Sequence, residues 1–355
     1  MGKTIRVVTM LDSIEAVKSA DRKDMLGTIE EMPKHLSEGL RRGRMSGLPR
    51  FTPKDVLVCG MGGSAISGDL LCAWMTESSE VHCEVRRDYT VPPHIDKNSL
   101  VIVASYSGNT EESISMLEDA RRKRAKIVCV CSGGKLADMA EAMSIPYARI
   151  ATGMVPRASL GFIFGAVAGI VERVGVVSAD KQFEETLRVL THSISQCRSS
   201  VKTADNPAKK LAHELFSTVP VVIGYGLSAP VARRWADQMN ENGKSLAFAS
   251  ELPEMDHNAI VGWMQDPRCK LFSPVFLQYE TSNDAMRARV EATKAMLCTR
   301  VPVHIVNATG VSPLARMFSL VAVGDFASAY LGILRNEDPS TTGPIEELKA
   351  ILAKK

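Results

Sequence analysis

Short, uninterrupted apolar runs punctuate this chain, and amphipathic stretches separate them. "DVLVCG" (55–60), "SLVIVASYS" (99–107) and "KIVCVCS" (126–132) have the length and β-branched content of strands, and "VHCEVRRD" (81–88) reads as another. Between and after them lie helical patterns: "SAISGDLLCAWM" (64–75), "NTEESISMLEDARRKR" (109–124) and "GKLADMAEAM" (134–143). Strands alternating with helices predict a parallel sheet with helices on both faces. The near-continuous apolar character of the strands predicts burial on both sides. Ahead of this region, "MLGTIEEMPKHLSEGLRRG" (25–43) reads as an amphipathic helical lead-in.

The pattern then repeats. "VPVVIGYG" (219–226) echoes "DVLVCGMG", "KLFSPVFLQYE" (270–280) echoes "SLVIVASYS", and "VPVHIVNATG" (301–310) echoes "KIVCVCSGG". Three echoes in one order predict two α/β domains of similar plan, residues 1–175 and 176–355. The length of 355 residues fits two domains. The copies differ where chemistry would sit. The first carries "GMGGS" and "SYSGNT" after its strands, the second "GYGLS" and "YETSND". One anion site per chain is expected, in the first domain.

In an open α/β sheet, ligands bind beyond the carboxyl ends of the strands. Glycines there let the backbone come close, hydroxyls donate hydrogen bonds without bulk, and the following helix supplies free N–H groups. Gly62, Gly63, Ser64, Ser105, Ser107 and Thr110 therefore read as a phosphate cradle. Taken singly, each serine reads as well as a helix cap. "GMGGSA" also fits G-x-G-x-x-A, with Glu84 placed as a ribose-binding acid, which is a local dinucleotide reading. That reading leaves "SYSGNTEE" unexplained, and a Walker lysine is absent.

The remaining features narrow the class. A formal net charge of +3 gives no reason to expect nucleic acid or membrane. The N-terminus lacks the apolar core of a signal peptide, and "ASLGFIFGAVAGIV" (158–171) is too short to span a bilayer and reads as a core helix. Eight cysteines without metal-ligand spacing read as reduced thiols of a cytoplasmic protein. No metal site is expected.

"GMGGSAISGDLL", "SYSGNTEE", "VPRASLG" and "NENGKSLAFASELPEMDHN" (240–258) together resemble the bifunctional phosphoglucose/phosphomannose isomerase family, built of two sugar isomerase (SIS) domains. The resemblance runs from about residue 55 to the C-terminus, and the glutamate-to-histidine segment is its specific part. It implies a homodimer that interconverts glucose 6-phosphate or mannose 6-phosphate with fructose 6-phosphate, without cofactor. It also implies phosphate ligation by Ser64, Ser105, Ser107 and Thr110, a catalytic Arg157, a base Glu241, a ring-opening His257 and a C-terminal Lys349. Thr341 or Thr342 would set specificity at C2. Two stretches depart from the family pattern: Asp256-His257-Asn258, where relatives often have Asn-His-Asn, and "STTGPIEELK" (340–349), where they often have Thr-Pro-Val.

The chemistry fits these residue types. Isomerisation needs ring opening, proton transfer between C1 and C2 through a cis-enediol, and stabilisation of the enediolate. A buried carboxylate suits the proton transfer, a histidine the ring opening and an arginine the stabilisation. Two alternatives stand beside this one. A non-catalytic SIS sensor would bind the same sugar phosphate, although no output module is legible. An amidotransferase-like enzyme would need a glutaminase domain with an N-terminal cysteine, and the first cysteine here is Cys59.

Overall fold

A computed structural model describes residues 10–352. Two compact units are present. One comprises residues 30–191 with 309–319; the other comprises residues up to 29, 192–308 and from 320 onward. Each holds one sheet, and both sheets are parallel throughout. This is the expected plan of two α/β domains, each a parallel sheet flanked by helices.

The first unit opens with helix α1 (Met32–Arg44) and continues β1 (Asp55–Cys59), α2 (Gly62–Ser78), β2 (His82–Arg86), β3 (Leu100–Ser105), α3 (Glu111–Arg122), β4 (Lys126–Cys131), α4 (Gly134–Ala142) and β5 (Tyr147–Arg149). A 3-10 turn (Pro156–Ser159) leads into α5 (Leu160–Arg173), and α6 (Asp180–Cys197) follows. Strand order is β2-β1-β3-β4-β5. Every residue of β1 and β3 is buried, as sandwiched strands require. Leu57, Val101, Val103 and Cys129 pack under Met116 and Leu117 of α3 and Leu136 of α4. On the opposite face a Cβ at Gly68 of α2 would meet Val58 at 2.9 Å.

Helices α1 and α5 touch backbone to backbone. A Cβ at Gly165 would lie 2.7 Å from the Leu40 amide nitrogen, and Gly39, Gly43, Gly161 and Gly169 are equally closed in by the facing backbone. The spacing of four in "GLRRG" and "GFIFGAVAG" thus makes a seam of small residues, which the apolar reading of 158–171 as a core helix did not foresee.

The second sheet carries β6 (Val219–Gly224), β7 (Phe248–Glu251), β8 (Phe272–Gln278) and β9 (His304–Asn307) in the order β7-β6-β8-β9. Its helices include α7 (Pro207–Leu215), α8 (Ala229–Glu241), α9 (Ala259–Gln265) and α10 (Asp284–Cys298). The order repeats that of the first four strands of the first sheet, as the sequence echoes predict. Strand β7 was not expected: it has only Phe248 and Ala249 as apolar residues and lies at an exposed edge.

The long helix α11 (Pro313–Leu334) is apolar and long enough to cross a membrane, with mean hydropathy 1.7, yet 94 % of its most apolar window is buried inside the protein. Within the second unit its Asp325 forms a bidentate pair with Arg234 of α8, at 3.0 and 2.6 Å, both side chains almost fully buried. It is a core helix. Helix α12 (Gly343–Leu352) closes the described chain, and none of its residues is buried.

Candidate functional site

The order β2-β1-β3-β4-β5 puts the topological switch point between β1 and β3, the place where an open α/β sheet leaves a crevice at its carboxyl edge. The two hydroxyl-rich loops leave from these two strands.

The first loop runs from Gly60 to Ser64. A Cβ at Gly60 would lie 2.9 Å from the Ala104 carbonyl, so the loop closes directly on the end of β3. Gly62 has φ +50° and faces open space, which only glycine provides without strain. Gly62 and Gly63 begin α2, and no side chain caps that helix. Its first N–H groups are thus left for an anion. Ser64, in the same turn, is buried.

The second loop runs from Ser105 to Thr110. Ser105 and Thr110 join their hydroxyls at 2.9 Å, and the Gly108 amide donates to Ser105 Oγ at 3.2 Å. Ser107 is exposed, and its Oγ accepts from the Asn109 amide at 3.2 Å. Thr110 begins α3 with no side-chain cap bond, so that helix end is also open.

Two further loops brace the second. Ser132 donates from its amide and its hydroxyl to the Tyr106 carbonyl, at 3.0 and 2.7 Å. Asn109 Oδ1 accepts from the Lys135 amide at 3.0 Å. The Tyr106 phenol accepts from the Met154 amide at 2.9 Å, and burial pushes that phenol above its ordinary pKa. Tyr106, Ser132 and Asn109 were not singled out from the sequence; they carry no motif beyond their neighbourhood of "SYSGNT". Arg157 is 4 % exposed in the turn after Met154. A Cβ at Gly63 would stand 3.4 Å from its Cα, so the arginine's turn backs onto the first loop. The structure therefore gathers Gly62, Gly63, Ser64, Ser105, Thr110 and Arg157 at one edge of one sheet.

The second sheet has its own switch point, and it is filled. Tyr225 stacks on Tyr279 with ring centroids 4.8 Å apart. Tyr225 donates its hydroxyl to the Tyr279 carbonyl at 2.9 Å, and the Leu227 amide donates to the Tyr279 hydroxyl at 3.3 Å. Ser228, the counterpart of Ser64 in "GYGLS", gives its hydroxyl to backbone carbonyls of Tyr225 and Leu277. Groups that lie open in the first crevice are spent internally in the second.

The other predicted residues belong to the second unit. Glu241 ends α8, whose register is set by buried partners. Arg234 and Gln238 bind Asp325, and Asn242 donates to Ser328 at 3.0 Å. Lys244 Nζ donates to the Glu241 carbonyl at 2.7 Å and to the Thr341 carbonyl at 3.0 Å, joining the glutamate's turn to the segment of the predicted threonines. Lys244 is within the quoted "NENGK" but was not given a role from sequence. The Thr342 carbonyl accepts from the Ile345 amide and so starts α12.

His257 closes a 3-10 turn (Glu254–His257) and is exposed. Asp256 accepts from Thr293 at 3.0 Å and pairs with Arg289 at 3.3 Å, while Asn258 donates to Glu254 at 2.7 Å. Both neighbours of the histidine are thus committed to holding its turn. Lys349 is exposed on α12, and its side chain makes no hydrogen bond or ion pair among the described residues.

Known proteins bear directly on this arrangement. The family model of the bacterial phospho-glucose isomerase C-terminal SIS domain matches residues 204–352, and that of the SIS domain matches residues 51–162. The chain is 37 % identical over 303 residues to a bifunctional phosphoglucose/phosphomannose isomerase of Caldicellulosiruptor bescii, covering 84 % of this chain and 89 % of the relative. The chain belongs to the bifunctional phosphoglucose/phosphomannose isomerase family. A second member, from Aquifex aeolicus, is 33 % identical over 308 residues, with 86 % and 92 % of the two chains covered. In fold, the protein is similar to the crystal structure of a hypothetical protein from Thermus thermophilus, with a TM-score of 0.74 at 18 % identity over 96 % and 93 % of the chains.

Proposed function

We propose that this protein is an aldose–ketose isomerase that interconverts glucose 6-phosphate and mannose 6-phosphate with fructose 6-phosphate. The observation that carries the reading is the pair of hydroxyl-rich loops at the switch point between β1 and β3, each leading into a helix start with no side-chain cap, in a chain of this family. A dianionic phosphate matches such donors. In this reading Ser64, Ser105, Ser107, Thr110 and the Gly62–Gly63 amides hold the phosphate.

Glu241 then moves the proton between C1 and C2, His257 opens the sugar ring, and Arg157 steadies the enediolate. Lys349 assists from the C-terminal helix. The planar enediol can be reprotonated on either face of C2, which yields both epimers, and Thr341 or Thr342 shapes that choice. The route needs no metal.

We further propose a homodimer in the cytoplasm. Leu246, Phe248, Val261 and Leu271 are 67 %, 51 %, 55 % and 61 % exposed, large apolar side chains that a second copy would cover. The eight free cysteines fit a reducing compartment.

The test is purified protein given fructose 6-phosphate in the presence of a chelator, with the products separated. Both aldose phosphates are the expected result. Glucose 6-phosphate alone would restrict the C2 chemistry, and tight binding without turnover would make this a sensor.

A further inference from the structure

The first unit holds a cavity of about 320 Å³, lined by Glu38 and Arg42 of α1, Ser132, Arg149, Ile150, Ala151, Thr152 and Phe162. Its volume is in the range of sites for small metabolites, roughly 300–1,000 Å³. Its floor is apolar and buried, formed by Ile150 and Phe162; its rim is polar and exposed, formed by Arg42, Arg149 and Thr152.

The charges do not cancel. Glu38 is already shared between Arg41 and Arg42, at 2.7 Å each. Arg42 spends only Nε on it, so its two terminal nitrogens donate to nothing among the described residues. The Arg149 side chain makes no hydrogen bond or ion pair among the described residues, and the Thr152 hydroxyl is likewise unpartnered. Two guanidinium groups with open donor edges, a free hydroxyl and an apolar floor together match a phosphate on a short carbon skeleton.

We propose that this cavity is a second anion site, lined by other cationic groups than the crevice, which binds a small phosphorylated metabolite. Its position gives it a route to the crevice. Residues 150–155 connect Arg149 to the turn of Arg157, and Met154 within them donates to the phenol of Tyr106, which stands between Ser105 and Ser107. An occupant that fixes this segment acts on the loop carrying those serines. The binding claim itself does not depend on the isomerase reading, because it is read without turnover.

The experiment is titration calorimetry of the full chain with glycerol 3-phosphate. A Ser64→Ala/Ser105→Ala variant, weakened at the crevice, is expected to bind one equivalent still. Adding Arg42→Gln and Arg149→Gln is expected to lower that affinity at least tenfold. In the wild-type background the same arginine pair should remove one bound equivalent and leave fructose 6-phosphate binding intact. A serine variant that binds nothing, or arginine substitutions that change its affinity less than threefold, would overturn the proposal. Absence of isomerase activity would leave all these results unchanged.

Discussion

Asp325→Ala should be among the most damaging single substitutions in the second unit. The wild-type carboxylate accepts from Arg234 Nε at 3.0 Å, from Arg234 Nη2 at 2.6 Å and from Gln238 at 3.1 Å, with Asp325 1 % and Arg234 2 % exposed. Alanine would leave a guanidinium buried against the emptied space. Removing one partner of a buried pair costs about 3–5 kcal/mol, against a domain stability of roughly 5–15 kcal/mol. Replacing both partners by apolar residues is often neutral, so Asp325→Leu combined with Arg234→Met should recover most of the loss.

Trp235 is a suitable reporter. It is fully buried beside Arg234, and its indole N–H donates to the Leu320 carbonyl at 3.0 Å. Urea unfolding followed by its fluorescence, with Trp74 and Trp263 replaced, should show a lower midpoint for Asp325→Ala at nearly unchanged slope. Glu241 lies two turns along the same helix, so kcat should fall while KM for sugar phosphate holds. A loss below about 1 kcal/mol would refute the reasoning, as would a double variant no more stable than Asp325→Ala.

Other expectations follow from the same geometry. Ser105→Ala removes a hydroxyl bonded to Thr110, and should raise the Kd for fructose 6-phosphate about 10- to 100-fold, the range of a hydrogen bond to a charged group; calorimetry reads it. Gly165→Ala would press a methyl into the α1 backbone and should destabilise by about 1–3 kcal/mol. Gly262→Ala, with open space around it, should not, and a comparison of melting temperatures separates the two. Burial holds the His35 and His213 pKa values below the ordinary 6.5, so in the native state both resist protonation. Unfolding then takes up protons below pH 6.5, and stability should be full above that pH and decline as pH falls through it. His35→Phe, which keeps the stack on Phe162, should flatten that decline in urea titrations run from about pH 7.5 to about pH 5.5.

Much of the first unit could be read directly. Strands β1, β3 and β4 are buried on both faces, so their apolar runs are continuous, and the loops after β1 and β3 keep their glycines and hydroxyls together in sequence. The echo of strand order was readable for the same reason. Strand β7 was not, because an exposed edge strand needs little apolar content. The α1–α5 seam was hidden because glycine at every fourth position reads as loss of helix propensity until a facing backbone explains it. The bracing by Tyr106, Ser132 and Met154 joins residues up to 48 positions apart, and no local pattern records it. In the same way, no local pattern shows that the carboxylate of Asp256, next to His257, is engaged by Thr293 and Arg289 of α10.

The central claim is proton transfer at C2 through an enediol, and loss of the base, read in heavy water, tests it most directly. Fructose 6-phosphate would be converted in heavy water by the wild-type protein and by Glu241→Gln, and the aldose products examined by NMR. Expected products are glucose 6-phosphate and mannose 6-phosphate, with deuterium entering C2 to the extent that the protonated Glu241 exchanges with water before it returns the proton, and with turnover lost in Glu241→Gln while sugar-phosphate binding remains. Near-normal turnover in Glu241→Gln, with or without solvent deuterium in the products, would contradict the central claim.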